Sequence, residues 1–550
     1  MLIDSLRYFK KFSLALLVGG LIFAIFVAPR TSWNFLGDDF CAVYAGKRGC
    51  ALGLGQFWTD YSNEQTTFPS NVQKQASFLS VMFRPLTLTL YAAQYFLFGH
   101  NSAWPYFLVA IFLHCLAAGL LFLLLCTWFD LSMAFLLALC VGCYPLMGRF
   151  VGRLSIDSYS VCFIILMLCT FLLHKHLEKI SFWPLIFVCG LFLTGLLCNE
   201  ILLPMPLLYF LPILFVDQSS CRHWRYFYFF CALMLAVVFY LLLRLYFYPL
   251  VLTDNALLGC SSTTLTERFY YLLTLLTDTF ALTSFSEGNR CIKSLGVTFF
   301  GLILTVGFAF SDQKKLLLGL LFAFCIAAWP CIIFYHAHRY LYFSTPIFLV
   351  ALAICARVIF GNFVTHALFL ILILVGIFEC NRSLWAFEQQ ALQSSKIAKS
   401  VARFMDQNNV AICFALMSME IFPGWGSAQA VWLYAKKELP VFYDKRLNTQ
   451  SNFNNNVYCK IPDENLFTLD FDDSTIKIEA LFPDKIWLFD CIKNKQTNVP
   501  FGLGLAEKIC TREDGMLSGI QIKVAAKFLQ QPLAIAFWDY FGKVVNFKTN

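Results

Sequence analysis

Charged residues are scarce in this sequence. Asp, Glu, Lys and Arg supply 13% of its 550 residues, whereas hydrophobic residues supply 59%. Soluble globular domains have about 25% charged residues, so this composition excludes an ordinary soluble enzyme. It predicts a protein with many transmembrane segments.

Three further features are missing, and each excludes a class of protein. The net charge of +8 is not gathered into a basic stripe, so we expect no nucleic-acid partner. The 22 Cys are scattered, many of them inside apolar runs such as "LALCVGCYPL", where a thiol behaves as a small hydrophobe. They therefore indicate neither a disulfide framework nor a thiolate metal site. The polar residues after 380 show no internal repeat.

Apolar runs of roughly 16 to 23 residues, the length that crosses a bilayer, recur through the first 380 residues. Basic residues precede the first run, which places the amino terminus inside. A long first outer loop, 30–103, follows it, and two short or interrupted runs, 85–98 and 264–285, are predicted as interfacial helices on the outer face. We predict about eleven spans, at 13–29, 104–126, 133–147, 156–173, 183–199, 201–216, 226–248, 295–310, 316–334, 341–358 and 363–379.

The composition becomes polar after residue 380. "QQALQSSKIAKSVARFMDQNN" predicts a helix, and alternating stretches such as "TIKIEALF" predict strands. The fold class expected is thus a polytopic all-α membrane domain, 1–379, followed by a small soluble α/β or α+β domain, 380–550, on the extracytoplasmic side.

Several ionisable residues fall at the outer ends of the predicted spans. Arginines there run against the positive-inside rule and indicate a local anionic partner. Glu200 lies between two apolar runs, where a carboxylate is costly unless it is paired or used. A structural ion pair with one of the arginines explains it equally well. The residues at this face are Asp38, Asp39, Arg84, Arg149, Arg153, Glu200, His338 and Arg339.

This set of residues suits a lipid-linked sugar donor. Arginines at headgroup level can hold the donor's phosphate and stabilise the charge that develops as it leaves. A carboxylate opposite would deprotonate the attacking hydroxyl or orient it. One of Asp38 and Asp39 is then the base and the other a support, or the pair could hold a divalent cation such as Mg²⁺ or Mn²⁺.

Four stretches together resemble GT-C-fold glycosyltransferases, above all the transmembrane O-mannosyltransferases with tetratricopeptide repeats and their bacterial relatives. A fifth, "NEILLPMPLL" (199–208), resembles the Lys-Glu segment of that family. The resemblance spans roughly residues 13–379. The four stretches are "GDDF" (37–40), "FRPLTLTLYAAQYFLFGHNSAWPYFLVAIFLH" (83–114), "VGRLSIDSYSVCFIILML" (151–168) and "RYLYFSTPIFLVALA" (339–353).

The resemblance implies a polyprenyl-phosphate sugar as donor and an acidic pair that supplies the base. By position, Asp38 matches the usual catalytic Asp and Asp39 the second acid. Arg84, Arg149, Arg153 and Arg339 are expected to handle phosphate, with supporting roles for Glu200, His114, His338 and Tyr340.

The chain also departs from the family's pattern. It has no tetratricopeptide array, and non-matching residues stand at five motif positions: Phe107, Ala110, Ser155, Asn199 and His338. These departures leave the sugar and the acceptor open.

The sequence therefore predicts a membrane glycosyltransferase that moves a sugar to a protein, lipid or glycan acceptor on the extracytoplasmic face, with inversion. A polytopic transporter or lipid-linked-sugar flippase is the rival from another class, since buried charges and interrupted helices suit it too. A non-catalytic GT-C relative is a third reading. The missing repeats and the scarcity of glycosylation sequons favour a bacterial inner membrane over the endoplasmic reticulum.

Overall fold

The structure is a computed structural model of the 550-residue chain. It describes residues 2–28, 30, 33–35, 38–53, 84–145, 147, 151, 153–154, 156–178, 182–215, 220–247, 290–333, 341–408, 412–416, 433–434, 441–442, 467–472, 475–480, 507–511, 517–523, 533–538 and 544–548. The predicted interfacial helix at 264–285 lies outside these residues.

Between residues 1 and 408, the described part of the chain is mostly helical. Their bounds are α1 Leu2–Val27, α2 Asp38–Leu52, α3 Pro85–Phe98, α4 Trp104–Leu125, α5 Leu131–Gly142, α6 Ile156–Glu178, α7 Phe182–Cys198, α8 Pro206–Phe215, α9 Ser220–Phe247, α10 Arg290–Phe310, α11 Lys314–Ile333 and α12 Ser344–Asn408.

Five of these helices contain segments long and apolar enough to cross a membrane: Phe9–Val27, Trp104–Leu125, Ile156–His174, His223–Tyr246 and Ser344–Lys396. They expose large apolar side chains, among them Leu16, Phe112 and Leu235, which a water-facing surface would not tolerate in such number. The protein is therefore an integral multi-pass membrane protein. The count of about eleven spans stays a prediction.

The chain divides into two compact units. Unit 1 comprises Met1–Thr31, Val81–Thr87 and Pro105–Phe387, and unit 2 comprises Ser32–Ser80, Leu88–Trp104 and Glu388–Asn550. The domain boundary predicted between residues 379 and 380 stays a prediction.

Small residues let the helices of unit 1 approach closely. An added Cβ at Gly119 would lie 3.3 Å from the Ala15 carbonyl oxygen, and one at Gly19 would lie 3.5 Å from the Cys115 carbonyl oxygen. Ala15 and Gly19 on α1 thus cross Cys115 and Gly119 on α4, each pair spaced by four, as in other close crossings of membrane helices. Elsewhere in the unit, α7 packs on α6 and α9, and α8 packs on α9 and α11.

The predicted span 201–216 differs from the observed structure in its first turn. The run 201–216 begins with a 3-10 turn, Glu200–Leu202, and becomes α-helical only at Pro206, because proline fits the first helical position. The predicted runs 341–358 and 363–379 lie on the two sides of Gly361 in α12, where the backbone is not helical and φ is +72°. A positive φ suits glycine alone among ordinary residues.

Unit 2 contains α2 and the described strands. The strands are β1 Ile412–Leu416, β2 Val441–Phe442, β3 Phe467–Asp472, β4 Thr475–Ala480, β5 Glu507–Thr511, β6 Leu517–Lys523, β7 Leu533–Trp538 and β8 Val544–Lys548. One sheet has the order β2-β1-β7-β8, with β1 parallel to both β2 and β7 and β8 antiparallel to β7. The other, β3-β4-β6-β5, is antiparallel throughout.

The outer loop predicted at 30–103 contains helical structure at both of its described segments. Helix α3 has the predicted bounds, with Pro85 at its first position and Gly99 (φ +64°) directly after it. Helix α2 was not predicted. It begins at Asp38 and Asp39, where negative side chains favour a helix start by interacting with the helix dipole.

Candidate functional site

Arg84 and Glu200 form an ion pair with two hydrogen bonds in unit 1. Arg84 Nε donates to Glu200 Oε2 at 2.7 Å, and Nη2 donates to Oε1 at 2.5 Å. The arginine side chain is 21% exposed and the glutamate 14%. This two-point geometry fixes the plane of the guanidinium as well as its position.

The backbone around this pair is held by buried polar contacts. Thr87 Oγ1 donates to the Cys198 carbonyl oxygen at 2.6 Å, which ties the first turn of α3 to the end of α7. Asn199 caps the turn that carries Glu200, since its Oδ1 accepts from the Ile201 N–H at 3.1 Å. Asn199 Nδ2 also donates to Ser158 Oγ on α6, at 3.1 Å. Three helices therefore position the Arg84–Glu200 pair.

His114, a predicted supporting residue, is buried inside unit 1. Its Nε2 lies 3.0 Å from the Gly142 carbonyl oxygen, which can only accept, so Nε2 carries the hydrogen. Its Nδ1 then accepts from the Tyr342 hydroxyl at 2.8 Å, and Ser160 Oγ lies 3.3 Å from the same hydroxyl. This network joins α4, α5, α6 and the turn before α12.

Two arginines of unit 1 lie on aromatic rings. The guanidinium carbon of Arg153 is 5.2 Å from the ring centroid of Phe387. That of Arg30 is 4.7 Å from the centroid of Phe107, and Arg30 Nη2 donates to the Val151 carbonyl oxygen at 3.3 Å. Arg30 was not selected from the sequence, although it directly follows the first predicted span on the outer side.

Asp157 is a second residue that the sequence reasoning missed. It is fully buried in the first turn of α6, next to Ser158, which contacts Asn199. The signal was its place at the outer end of a predicted span, where a carboxylate is costly unless it has a partner.

The acid pair belongs to unit 2. Asp38 and Asp39 are the first residues of α2, and the Asp39 side chain is fully buried. The orientation of the Asp38 side chain lies outside the described part of the structure, as do all atoms of Arg149, His338, Arg339 and Tyr340. The roles assigned to these residues stay predictions.

The structure gives no direct support to a metal. Among the side chains that it describes, no three His, Cys, Asp or Glu come together in a group that could hold a metal ion. The divalent cation considered for Asp38 and Asp39 stays a prediction.

Comparison with known proteins adds one solved structure. No known protein-family profile matches the chain, and no curated protein matches it. Among the solved structures that match is the crystal structure of ArnT from Cupriavidus metallidurans bound to undecaprenyl phosphate. The two chains are 11% identical over 78% of this chain and 85% of that chain, with a TM-score of 0.47. A likeness this distant carries no conclusion about activity, which must be argued from the residues themselves.

Proposed function

We propose that this protein is a membrane glycosyltransferase that transfers a sugar from a polyprenyl-phosphate donor to an acceptor at the extracytoplasmic face. The observation that carries the proposal is the two-point Arg84–Glu200 pair next to an apolar helix end. A guanidinium fixed in one plane and partly exposed is suited to a phosphate group, because its planar fork matches phosphate oxygens.

Glu200 would orient Arg84 for this task. The carboxylate engages Nε and Nη2, which fixes the plane in which the guanidinium would face the donor phosphate. Arg149, Arg153 and Arg339 would add charge from other predicted spans at the same face. Positive groups that face the leaving phosphate stabilise the charge that builds up in the transition state.

The acid pair would act on the acceptor. An acceptor oxygen attacks the anomeric carbon of the donor sugar, and Asp38 takes the hydroxyl proton. The bond between the anomeric carbon and the phosphate oxygen breaks, and its electron pair leaves with polyprenyl phosphate. Asp39 would support Asp38, and direct displacement would invert the anomeric configuration. The proposal takes from the predicted topology that the acid pair and the arginines share one membrane face.

The donor assay tests this proposal. Wild type and Asp38→Asn, purified into nanodiscs, are incubated with a panel of radiolabelled polyprenyl-phosphate sugars and an extract of candidate acceptors, and released polyprenyl phosphate is counted. We expect release from at least one donor with wild type, and loss of that release in Asp38→Asn. Asp312→Asn, which removes an exposed carboxylate between α10 and α11, is the control and should behave as wild type.

Two results would contradict the proposal. Equal release by Asp38→Asn would show that the base is a different residue, and Asp39→Asn would then be tested in the same assay. Movement of intact donor between leaflets of a vesicle, without release of polyprenyl phosphate, would replace the transferase with a flippase.

A further inference from the structure

Unit 2 contains a group of aromatic and basic side chains that the proposed mechanism does not use. It consists of Lys47, Tyr95, His100, Lys399 and Tyr434, and we call it the His100 cluster. Its members come from α2, α3, the turn after α3, the far part of α12 and the segment 433–434. Lys399 is exposed and the other four are half-buried, so the cluster is open to solvent.

His100 is the centre of the cluster. Its Nδ1 lies 3.2 Å from the Tyr95 hydroxyl, and the two rings are stacked at 12° with centroids 6.3 Å apart. The Tyr434 ring meets His100 edge-on at 5.9 Å. The imidazole is thus held between two tyrosine rings that also offer hydroxyl groups.

Positive charge converges on the same place. Lys399 Nζ lies 5.2 Å from the centroid of the Tyr434 ring. Burial lowers the pKa of His100 below its usual 6.5, and the charges of Lys47 and Lys399 lower it further. Two ammonium groups from distant parts of the chain therefore act on one imidazole, and a bound anion would relieve their repulsion.

Helix α2 links the cluster to the acid pair. The ring centroids of Phe40 and Tyr434 are 6.5 Å apart. Lys47 follows Phe40 by seven residues, about two helical turns, and therefore lies on the same face of α2. With a rise of about 1.5 Å per residue, the nine residues from Asp38 to Lys47 span roughly 13 Å. An extended saccharide that reaches along α2 could contact both.

We propose that the His100 cluster binds an anionic group, a carboxylate or a phosphate, on a saccharide acceptor. Lys47, His100 and Lys399 supply charge and hydrogen bonds, and the faces of Tyr95 and Tyr434 supply amphipathic surfaces for a sugar ring. Only the identification of the bound saccharide as the acceptor rests on the proposed function, because the binding itself requires no turnover.

The experiment measures binding by the full-length protein in nanodiscs of neutral lipid. Isothermal titration calorimetry is run with glucose 6-phosphate, glucuronate, inorganic phosphate and neutral glucose. We expect the two anionic sugars to bind and glucose not to bind. Lys399→Gln should weaken the anionic sugars by roughly tenfold or more, since it removes a charged hydrogen-bond donor. Lys399→Arg should restore most of the affinity.

His100 gives the cluster a pH signature. A bound anion favours the charged imidazole, so His100 takes up a proton on binding, and the affinity for glucuronate, whose carboxylate stays ionised, should rise as the pH falls from 7 to 5. Burial raises the pKa of Tyr95 and of Tyr434, so both tyrosines stay neutral across this range. His100→Gln should abolish the rise, whereas Lys314→Gln, an exposed lysine of α11 in unit 1, should keep it.

Four outcomes would overturn the inference. Equal binding of glucose and glucose 6-phosphate would exclude recognition of the anion. Inorganic phosphate bound as well as the sugars would reduce the cluster to an ion site. Loss of sugar binding in nanodiscs that contain phosphatidylglycerol would make a lipid headgroup the ligand. Donor release without sugar binding would contradict the anion site and leave the proposed transferase standing. Sugar binding without donor release would contradict the transferase and leave the anion site standing.

Discussion

Arg84 and Glu200 are 116 residues apart in the chain, yet they share two hydrogen bonds of 2.7 and 2.5 Å. Arg84 directly precedes the apolar helix α3, and Glu200 comes two residues after the end of the apolar helix α7. At such a position neither charge is fully hydrated, and each is stabilised chiefly by the other. The pair is therefore expected to matter for folding as well as for any work that Arg84 does on a substrate.

Glu200→Gln separates these two roles. We expect it to lower donor turnover by roughly tenfold or more, because Arg84 loses the carboxylate that orients it. A tenfold change corresponds to about 1.4 kcal/mol of transition-state stabilisation. A double-mutant cycle with Arg84→Gln, read from thermal unfolding in nanodiscs, should give a coupling free energy of roughly 1–3 kcal/mol. Asp312→Asn is the control. Additive effects in the cycle would show that the pair contributes nothing beyond its single charges.

Gly46→Ala tests the support of the acid pair without touching a charge. An added Cβ at Gly46 would lie 2.8 Å from Tyr95 Cβ and 2.9 Å from the Tyr91 carbonyl carbon, so α2 must move away from α3. We expect a loss of roughly 1–3 kcal/mol of stability, seen as a lower unfolding temperature. Gly20→Ala, whose added methyl group meets no atom within 4 Å, should not lower it. Equal unfolding temperatures for the two variants would contradict this packing.

Tyr342→Phe removes the hydroxyl that bonds to His114. The buried Nδ1 of His114 loses its donor, and a buried acceptor without a partner costs roughly 1–3 kcal/mol. We expect a lower unfolding temperature. Tyr228→Phe, at an exposed tyrosine of α9, serves as the matched control. An unchanged unfolding temperature in Tyr342→Phe would mean that the His114 network contributes nothing to the fold.

Local sequence signals predicted several elements correctly. Helix α3 matches residues 85–98 because Pro85 and Gly99 mark its two ends. The alternation in "TIKIEALF" predicted β4, and the helical pattern after residue 380 is confirmed by α12, which continues to Asn408. In each of these, the signal lies within the element itself.

Features that depend on distant residues could not be predicted in the same way. The sequence placed Glu200 at a face with four candidate arginines, but the choice of Arg84 depends on how α3 and α7 pack. Arg30 was overlooked because its aromatic partner, Phe107, is on another helix.

Asp130 lies in another part of unit 1 and is linked through Arg357 to the break at Gly361. This residue caps α5: its Oδ1 accepts from the Met133 N–H at 2.9 Å and from Ser132 Oγ at 2.6 Å. Its Oδ2 accepts from Arg357 Nη2 at 2.5 Å, and Arg357 also donates to Asn362 Oδ1, next to Gly361. One carboxylate thus joins the α4–α5 loop to the broken part of α12.

The ionisation of Asp130 should make this junction sensitive to acid. Partial burial raises its pKa, but the hydrogen bonds from Ser132 and Met133 and the charge of Arg357 outweigh it and lower the pKa from 3.8 to about 2. Because the folded protein has the lower pKa, the stabilisation is complete above the unfolded value and is lost as the pH falls from 3.8 towards 2. Asp130→Asn removes the titrating group, so its unfolding temperature should start lower at pH 5 and fall less between pH 5 and pH 3 than that of wild type. Asp312→Asn should follow wild type, and an identical fall in Asp130→Asn would show that the acid sensitivity comes from other carboxylates.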